Sequence, residues 1–334
     1  MVRAFDWRDG ERLIRFGRGV AAESVQALGG PGYLLLTTSR AGAELPAVAE
    51  AAAGVHHVHA GGVPELAEEA LAWAQLPAAR ASRIVALGGG RVIDVAKAVA
   101  AALGEGARAM AIPTTLSGAE MTKVHRHASG IDERTRRVRC AVVVYDPGLA
   151  ASQPAGELAA SAANALGHAV EGPCTVSANP VATMAAHEAA RLLTRAFAAE
   201  EPDRDALTLG ALLAGYTLDS TGYGLHHVLA QTLVRHGLAG HGQANAILLP
   251  HTTAALARRF PERHAALAAA LGEDPARAAG RLCELTGATQ LRELGVDAEA
   301  LEACAEEAAA RPQLDNTPPR PERDELRGIY AAAL

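Results

Sequence analysis

Along the first 150 residues, short unbroken apolar runs alternate with longer Ala-rich stretches whose apolar positions fall three and four apart. The runs are residues 33–38 (Tyr-Leu-Leu-Leu-Thr-Thr), 84–87 (Ile-Val-Ala-Leu), 109–113 (Ala-Met-Ala-Ile-Pro) and 141–145 (Ala-Val-Val-Val-Tyr). They have the length and composition of strands, while residues 66–74 and 92–103 read as helices. Runs apolar at every position and joined by helices predict a parallel sheet covered on both faces, with ligands beyond the carboxyl ends of its strands. From Pro154 onward the strand pattern stops, and residues 158–176, 182–199, 204–219, 225–233, 251–271, 275–287 and 298–311 all show helical spacing. The change of period predicts a Rossmann-like α/β domain over residues 1–150 and an all-helical domain over residues 151–334. The join falls near Asp146-Pro147-Gly148, and the crevice between two such domains is the default place for a ligand.

Composition narrows the class. The 334 residues are 49% apolar and 20% charged, a globular balance for two domains. A net charge of −6 and an aromatic content of 3% supply neither a basic footprint nor a stacking surface, so nucleic acid is set aside as a partner. No apolar run reaches the roughly 18 residues of a membrane span. Asp6 and Asp9 stand where an export signal would need an apolar stretch. Cys140, Cys174, Cys283 and Cys304 form no CxxC pair, which points to a reduced, cytoplasmic setting.

Two turns carry candidate chemistry. The first, Leu87-Gly88-Gly89-Gly90-Arg91, lies between a strand and a helix, where glycines let backbone N–H groups approach a diphosphate at a helix start. A tight turn needing positive φ is the competing reading. The second, Pro113-Thr114-Thr115-Leu116-Ser117-Gly118, offers hydroxyls to a nucleotide or, equally, a helix cap. The strand at residues 34–38 ends on Thr38 and is followed by Arg40, with no carboxylate to take a ribose 2′-hydroxyl. Small hydroxyls and an Arg favour NADPH, or tolerance of both NADPH and NADH. Thr38, Gly88, Gly89, Gly90, Asp94, Thr114, Thr115 and Ser117 are therefore the candidate cofactor-binding residues.

In the helical half, Asn164 and His168 are four apart and share a helix face. His226-His227 and, after a glycine-broken loop, His241 follow. Three imidazoles with one oxygen ligand suit zinc or ferrous iron, although Asn164 brings no charge to offset the ion's. The competing reading for each is a histidine packed on an Ala-rich helix.

These pieces, in this order, resemble the iron-containing (group III) alcohol dehydrogenases, which share the dehydroquinate synthase-like fold with glycerol-1-phosphate dehydrogenase. The resemblance runs from Leu13-Ile14-Arg15-Phe16-Gly17 through both turns, Val144-Tyr145-Asp146-Pro147, the Asn164/His168 helix and Asn245-Ala246-Ile247-Leu248-Leu249-Pro250-His251. Glu120-Met121-Thr122, Asn164 in place of a ligand Asp, and the tail Asn316-Thr317-Pro318-Pro319-Arg320-Pro321 are similar to the maleylacetate reductase branch. The resemblance implies an NAD(P)H-dependent homodimer acting on a small, acidic substrate, with Asn164, His168, His227 and His241 at the family's metal-ligand positions. The family shows a further His four residues after His227, where this chain has Gln231. Arg126, His226 and Gln231 are the candidate substrate contacts.

The expected reaction passes hydride from the nicotinamide to a carbonyl, or to a carbon–carbon double bond conjugated with one. His168, His227 and His241 are the candidate catalytic residues, because unperturbed histidine titrates near neutral pH and preorganised donors stabilise an oxyanion. Two other readings remain open: a metal-dependent alcohol dehydrogenase or aldehyde reductase of a specialised biosynthetic pathway, and a catalytically silent homologue.

Overall fold

The computed structural model describes residues 2–76 and 82–334, and the chain divides into two compact units, Met1–Gln153 and Pro154–Leu334. The first unit is built on a seven-stranded sheet of β1 (Phe5–Asp9), β2 (Arg12–Phe16), β3 (Leu34–Thr37), β4 (Gly54–His57), β5 (Arg83–Gly88), β6 (Arg108–Pro113) and β7 (Val142–Tyr145). Its spatial order is β1-β2-β7-β6-β5-β3-β4, and every neighbouring pair is parallel except β1 with β2. Strands β3, β5, β6 and β7 fall on the four apolar runs and are buried almost throughout.

The other three strands are not legible as apolar runs. In β1 and β4 half-buried and exposed side chains alternate, as expected of edge strands with one wet face. Arg15 of β2 donates twice to Asp6 of β1 at 2.8 Å, and Phe5 stacks on Phe16 with ring centroids 5.2 Å apart. That antiparallel hairpin makes the sheet mixed rather than wholly parallel.

Helices α1 (Ser39–Glu44), α2 (Pro46–Glu50), α3 (Val63–Ala74), α4 (Gly90–Leu103) and α5 (Pro147–Ala150) complete this unit. From β3 the chain moves outward to β4 and then returns to the opposite side of β3 for β5. The carboxyl ends of β3 and β5 therefore flank a topological switch point, the place where open α/β sheets bind ligands. Register aligns those ends, with Thr37 opposite Leu87 and Gly88 opposite Pro113.

Between Pro113 and Val142 the chain has no regular element, so its buried carbonyls need other donors. Lys97 of α4, 0% exposed, supplies three: its Nζ donates to the carbonyls of Ala119 (2.7 Å), Thr122 (3.1 Å) and Val124 (2.7 Å), and lies 2.9 Å from Asp94 Oδ1. Arg12 Nη1 donates to the Met121 carbonyl at 2.6 Å. Two cations thus hold an irregular loop against the sheet.

The second unit is helical: α6 (Ala155–Glu171), α7 (Pro180–Arg195), α8 (Arg204–Thr221), α9 (Leu225–Arg235), α10 (His241–Arg259), α11 (Pro261–Leu271), α12 (Pro275–Glu284), α13 (Ala298–Ala310) and α14 (Arg323–Ala333). Two expectations are corrected. Residues 251–271 are not one helix, because Pro261 opens α11 after a break at Phe260. The helix expected to begin at His251 begins instead at His241, the first residue of α10, which runs through Gly242 and Pro250. Helix α14 is an addition to the expected set. Among the described residues, no helix is long and apolar enough to cross a membrane.

Replacing Lys97 with Met leaves three carbonyls and Asp94 without their cation. The substitution is expected to cost on the order of 3–5 kcal/mol, the usual loss when one partner of a buried charged group is removed. A lower midpoint of urea unfolding at unchanged slope is the readout; an unshifted midpoint means that the loop is held by other contacts.

Candidate functional site

Gly89 forms the N-cap of α4 in extended conformation (φ −77°, ψ −177°), and no side chain caps that helix start. The first turn of this fourteen-residue helix therefore presents N–H groups with no side-chain cap at the carboxyl end of β5, a ready anion site. None of Gly88, Gly89 and Gly90 has positive φ, so turn conformation is not their reason for being glycine. Close approach is. A Cβ would come within 2.7 Å of Val92 Cγ2 at Gly88, 3.0 Å of Thr115 Cγ2 at Gly89 and 2.9 Å of Ser117 Oγ at Gly90. The hydroxyl turn packs directly on the glycine turn, and the Thr114 N–H donates to the Gly88 carbonyl at 3.0 Å.

The remaining predicted cofactor residues have structural partners. Thr38 Oγ1 accepts from the Ala41 N–H at 3.2 Å and caps α1, and Asp94 pairs with Lys97. Arg40 is exposed on α1, and Arg126 is exposed on the irregular loop. Beneath the hydroxyl turn, Glu120 is wholly buried; it accepts from Tyr145 Oη at 2.6 Å and from Ser117 Oγ at 3.4 Å. Burial raises its pKa.

The second unit gathers its histidines on α6, α9 and α10. Asn164, His168 and Glu171 lie on one face of α6, at i, i+4 and i+7. Gly167 lets α9 approach that face, since a Cβ there would meet His226 Cδ2 at 2.5 Å and His227 Cε1 at 3.1 Å. The rings of His168 and His227 stack, with centroids 3.9 Å apart and planes within 6°. His241, exposed at the start of α10, places Nε2 3.2 Å from Asn164 Oδ1. The structure thus brings Asn164, His168, His227 and His241 into one group.

Glu171 is the residue that sequence reasoning missed. Helix α9 has no side-chain cap of its own. Glu171 Oε2 accepts from the N–H groups of Gly224 (3.1 Å), His226 (3.1 Å) and His227 (3.5 Å), while Thr317 Oγ1 takes that of Leu225 (3.0 Å). The orphan donors of the helix start are satisfied from outside the helix. The other oxygen, Oε1, lies 2.5 Å from His227 Nδ1. His227 Nε2 and His168 Nδ1 are buried without a partner among the described residues. A signal for Glu171 was present: it is the one acid in the Ala-rich stretch after His168, three residues on.

Electrostatics overturn one expectation. Burial lowers His168 well below the ordinary imidazole value, and it pushes both His226 and His227 down to about 3. These rings are neutral at pH 7, so none of them is an imidazolium acid by itself. Burial raises Glu171 to about 7, which moves the titratable proton onto the carboxyl of the pair.

His168, Glu171 and His227 have ligand atoms within 4.8 Å of one another, a spacing at which a metal ion can be held. The donor set as arranged does not fit one. The carboxylate is already committed to three backbone N–H groups and one imidazole. The two rings are stacked with planes within 6° of parallel, so an ion in the plane of one lies outside the plane of the other. A metal–nitrogen bond is about 2.1 Å and lies in the ring plane, along the lone pair.

The candidate substrate residues fare differently. His226 is 0% exposed and pairs with Thr252 Oγ1 at 2.9 Å, so it packs the helices and has no surface to meet a substrate. Gln231, half-buried one turn beyond His227, accepts from Arg311 Nη2 at 2.7 Å. The tail predicted from Asn316 onward is structural: Asn316 Nδ2 donates to the Tyr223 carbonyl at 3.0 Å, and Thr317 serves the α9 start. Gly222 (φ +68°) makes room for Asn316, whose Nδ2 would lie 2.6 Å from a Cβ there.

Comparison with known proteins covers both units. Residues 12–129 match the iron-containing alcohol dehydrogenase family, and residues 158–334 match the C-terminal domain of the Fe-containing alcohol dehydrogenase family. The maleylacetate reductase of Rhizobium sp. (strain MTP-10005) is 33% identical over 100% of this chain and 98% of its own. That of Burkholderia cepacia is 33% identical over 96% and 95%. The crystal structure of maleylacetate reductase from Rhizobium sp. strain MTP-10005 aligns with a TM-score of 0.84 at 30% identity, covering 100% of this chain and 99% of that one. The Agrobacterium tumefaciens maleylacetate reductase structure gives the same four values.

The glycine turn yields a direct test. Gly90→Val drives a side chain into Ser117 and parts the two turns. Affinity for NADPH, read by fluorescence titration, is expected to fall roughly tenfold, or about 1.4 kcal/mol, with the circular dichroism spectrum unchanged. Unaltered affinity would mean that the dinucleotide binds elsewhere.

Proposed function

The chain belongs to the iron-containing alcohol dehydrogenase family, in its maleylacetate reductase branch, and from that premise we propose that it reduces a small acidic substrate of the maleylacetate kind with NAD(P)H. Hydride passes to a carbonyl, or to a double bond conjugated with one. The uncapped α4 start and the packed Gly88–Gly90 and Thr114–Ser117 turns support the first unit as the dinucleotide holder. Thr38 and Arg40 after β3, where a ribose-binding carboxylate would otherwise stand, favour NADPH or tolerance of both nicotinamides. The four described cysteines are buried and free, which supports a cytoplasmic setting. Family resemblance is the support for a homodimer.

The observation that carries the mechanism is the buried Glu171–His227 contact at 2.5 Å. When the Glu171 carboxyl is protonated it donates to Nδ1, which leaves Nε2 carrying its hydrogen toward the substrate. As hydride arrives and negative charge develops on the substrate oxygen, the Nε2 hydrogen passes to that oxygen and the Glu171 proton moves onto Nδ1. One proton leaves the pair, and a carboxylate facing an Nδ1–H remains. His241, exposed and in contact with Asn164, is the member of the group from which solvent restores the proton. No metal is needed, since hydrogen-bond donors aimed at the oxyanion supply the stabilisation.

Two outcomes test this reading. With Glu171 raised to about 7, the pair holds its proton below neutrality and loses it above, so kcat for reduction is expected to fall as pH rises past 7. The apparent value belongs to the pair rather than to one residue. Glu171→Gln still accepts N–H bonds but holds no acidic proton. It should lower kcat roughly 100-fold, a common contribution of general acid catalysis, and erase that pH limb while sparing NADPH affinity. Equal losses in kcat and NADPH affinity would make Glu171 a structural cap only.

Metal dependence is tested separately. Protein dialysed against EDTA is expected to keep full activity, with no gain on adding zinc or ferrous iron. Loss and recovery of turnover would revive the metal-dependent alternative.

A further inference from the structure

Arg311 follows α13 and is 6% exposed, yet among the described residues no carboxylate lies within ion-pair distance of its guanidinium. Its partners are neutral. Nη2 donates to Gln231 Oε1 at 2.7 Å in a partly exposed contact, and Nη1 lies 3.3 Å from the Val228 carbonyl in a buried one. The acid of the neighbourhood, Glu307, is engaged by His236 at 2.8 Å and Arg235 at 3.6 Å. A buried cation whose close hydrogen bonds go to amide oxygens is costly unless something compensates it. Glu307 and Tyr223 favour the charge from nearby, but no ion pair within the described chain neutralises it.

Its location indicates what does. Gln231 stands four residues after His227 on α9, so the two side chains share a face about 6 Å apart along the axis. Tyr223 adjoins both ends of this row, with its ring 6.2 Å from that of His227 and its hydroxyl interacting with Arg311. The edge of the guanidinium toward Gln231 is the less buried one. An Arg fork matches a carboxylate through two parallel hydrogen bonds.

We infer that Arg311 anchors a carboxylate of the substrate within reach of His227, and that Gln231 positions the guanidinium without neutralising it. This rests on the reduction proposed above and adds a specificity residue to it. A histidine at position 231 would offer a shorter reach, and when protonated would repel the guanidinium. A Glu there would occupy it permanently. A neutral carboxamide oxygen orients the fork and gives way to an anion.

The test uses maleate, a small dicarboxylate that cannot accept hydride at a ketone, in calorimetric titration of the intact protein. Wild-type protein should bind it. Gln231→Glu, which pairs Arg311 internally, and Arg311→Lys, which keeps the charge but loses the fork, should each weaken maleate roughly 10- to 100-fold, the range for one charge-assisted hydrogen-bonded contact. Both should leave NADPH titration unchanged, and Gln231→Glu should melt no lower than wild type. Absence of maleate binding by wild type overturns the inference, as does a loss confined to Gln231→Glu, which would signify simple repulsion. Maleate binding that responds to both variants, in an enzyme that reduces no keto acid, would uphold the anchor and defeat the reduction instead.

Discussion

Where the second unit folds its histidines together, three backbone N–H groups at a helix start and one imidazole nitrogen all need an acceptor in the same buried spot, and Glu171 is that acceptor. A carboxylate there also lies at the positive end of α9, where negative charge is favoured. Burial opposes its ionisation. These two influences oppose each other at the carboxyl that faces His227, and the same contact ties the start of α9 to α6. Removing the acid would therefore release a helix terminus as well as a proton. The proposed acid is thus fastened by the contacts that shape its protonation.

Much of the first unit was legible because burial on both faces writes itself into consecutive apolar residues, as in Ile84-Val85-Ala86-Leu87 and Val142-Val143-Val144. Strands β1 and β4 were not, since an edge strand with a wet face mixes Asp6, Arg8 and His57 into its pattern, and β2 between β1 and β7 carries Arg12 and Arg15, which pair with Asp9 and Asp6. Helices were found by period but not by boundary. His241 begins α10 because helix-breaking residues are tolerated near a helix start, so Gly240 and Gly242 read as a loop in sequence and act as an N-cap and first turn in space.

The site divides the same way. Spacing put Asn164 and His168 on one face, while His227 and His241 were joined to them through the family resemblance; in the structure His227 stacks on His168 and His241 meets Asn164. What spacing could not give was environment. His168 and His227 look like ordinary titrating histidines in sequence, and only their enclosure by α6 and α9 makes them neutral. The glycine triplet was likewise visible while its reason was not: the short distances from Gly89 to Thr115 and from Gly90 to Ser117 depend on a strand pairing 25 residues apart in register.

Gln231 changes meaning once its partner is known. Taken alone, a carboxamide where the family resemblance implies a histidine looks like the loss of a proton carrier. In space the proposed proton carrier is the Glu171–His227 pair, and position 231 answers to Arg311 instead. A histidine there and a buried arginine 80 residues later would compete for the same hydrogen-bonding edge, and protonation of the ring would set two cations against each other at low dielectric. Glutamine and Arg311 are thus compatible as a pair in a way that neither would be with the other's alternative. Position 231 carries a group that cannot titrate, next to a permanent cation that it can orient without competing for charge.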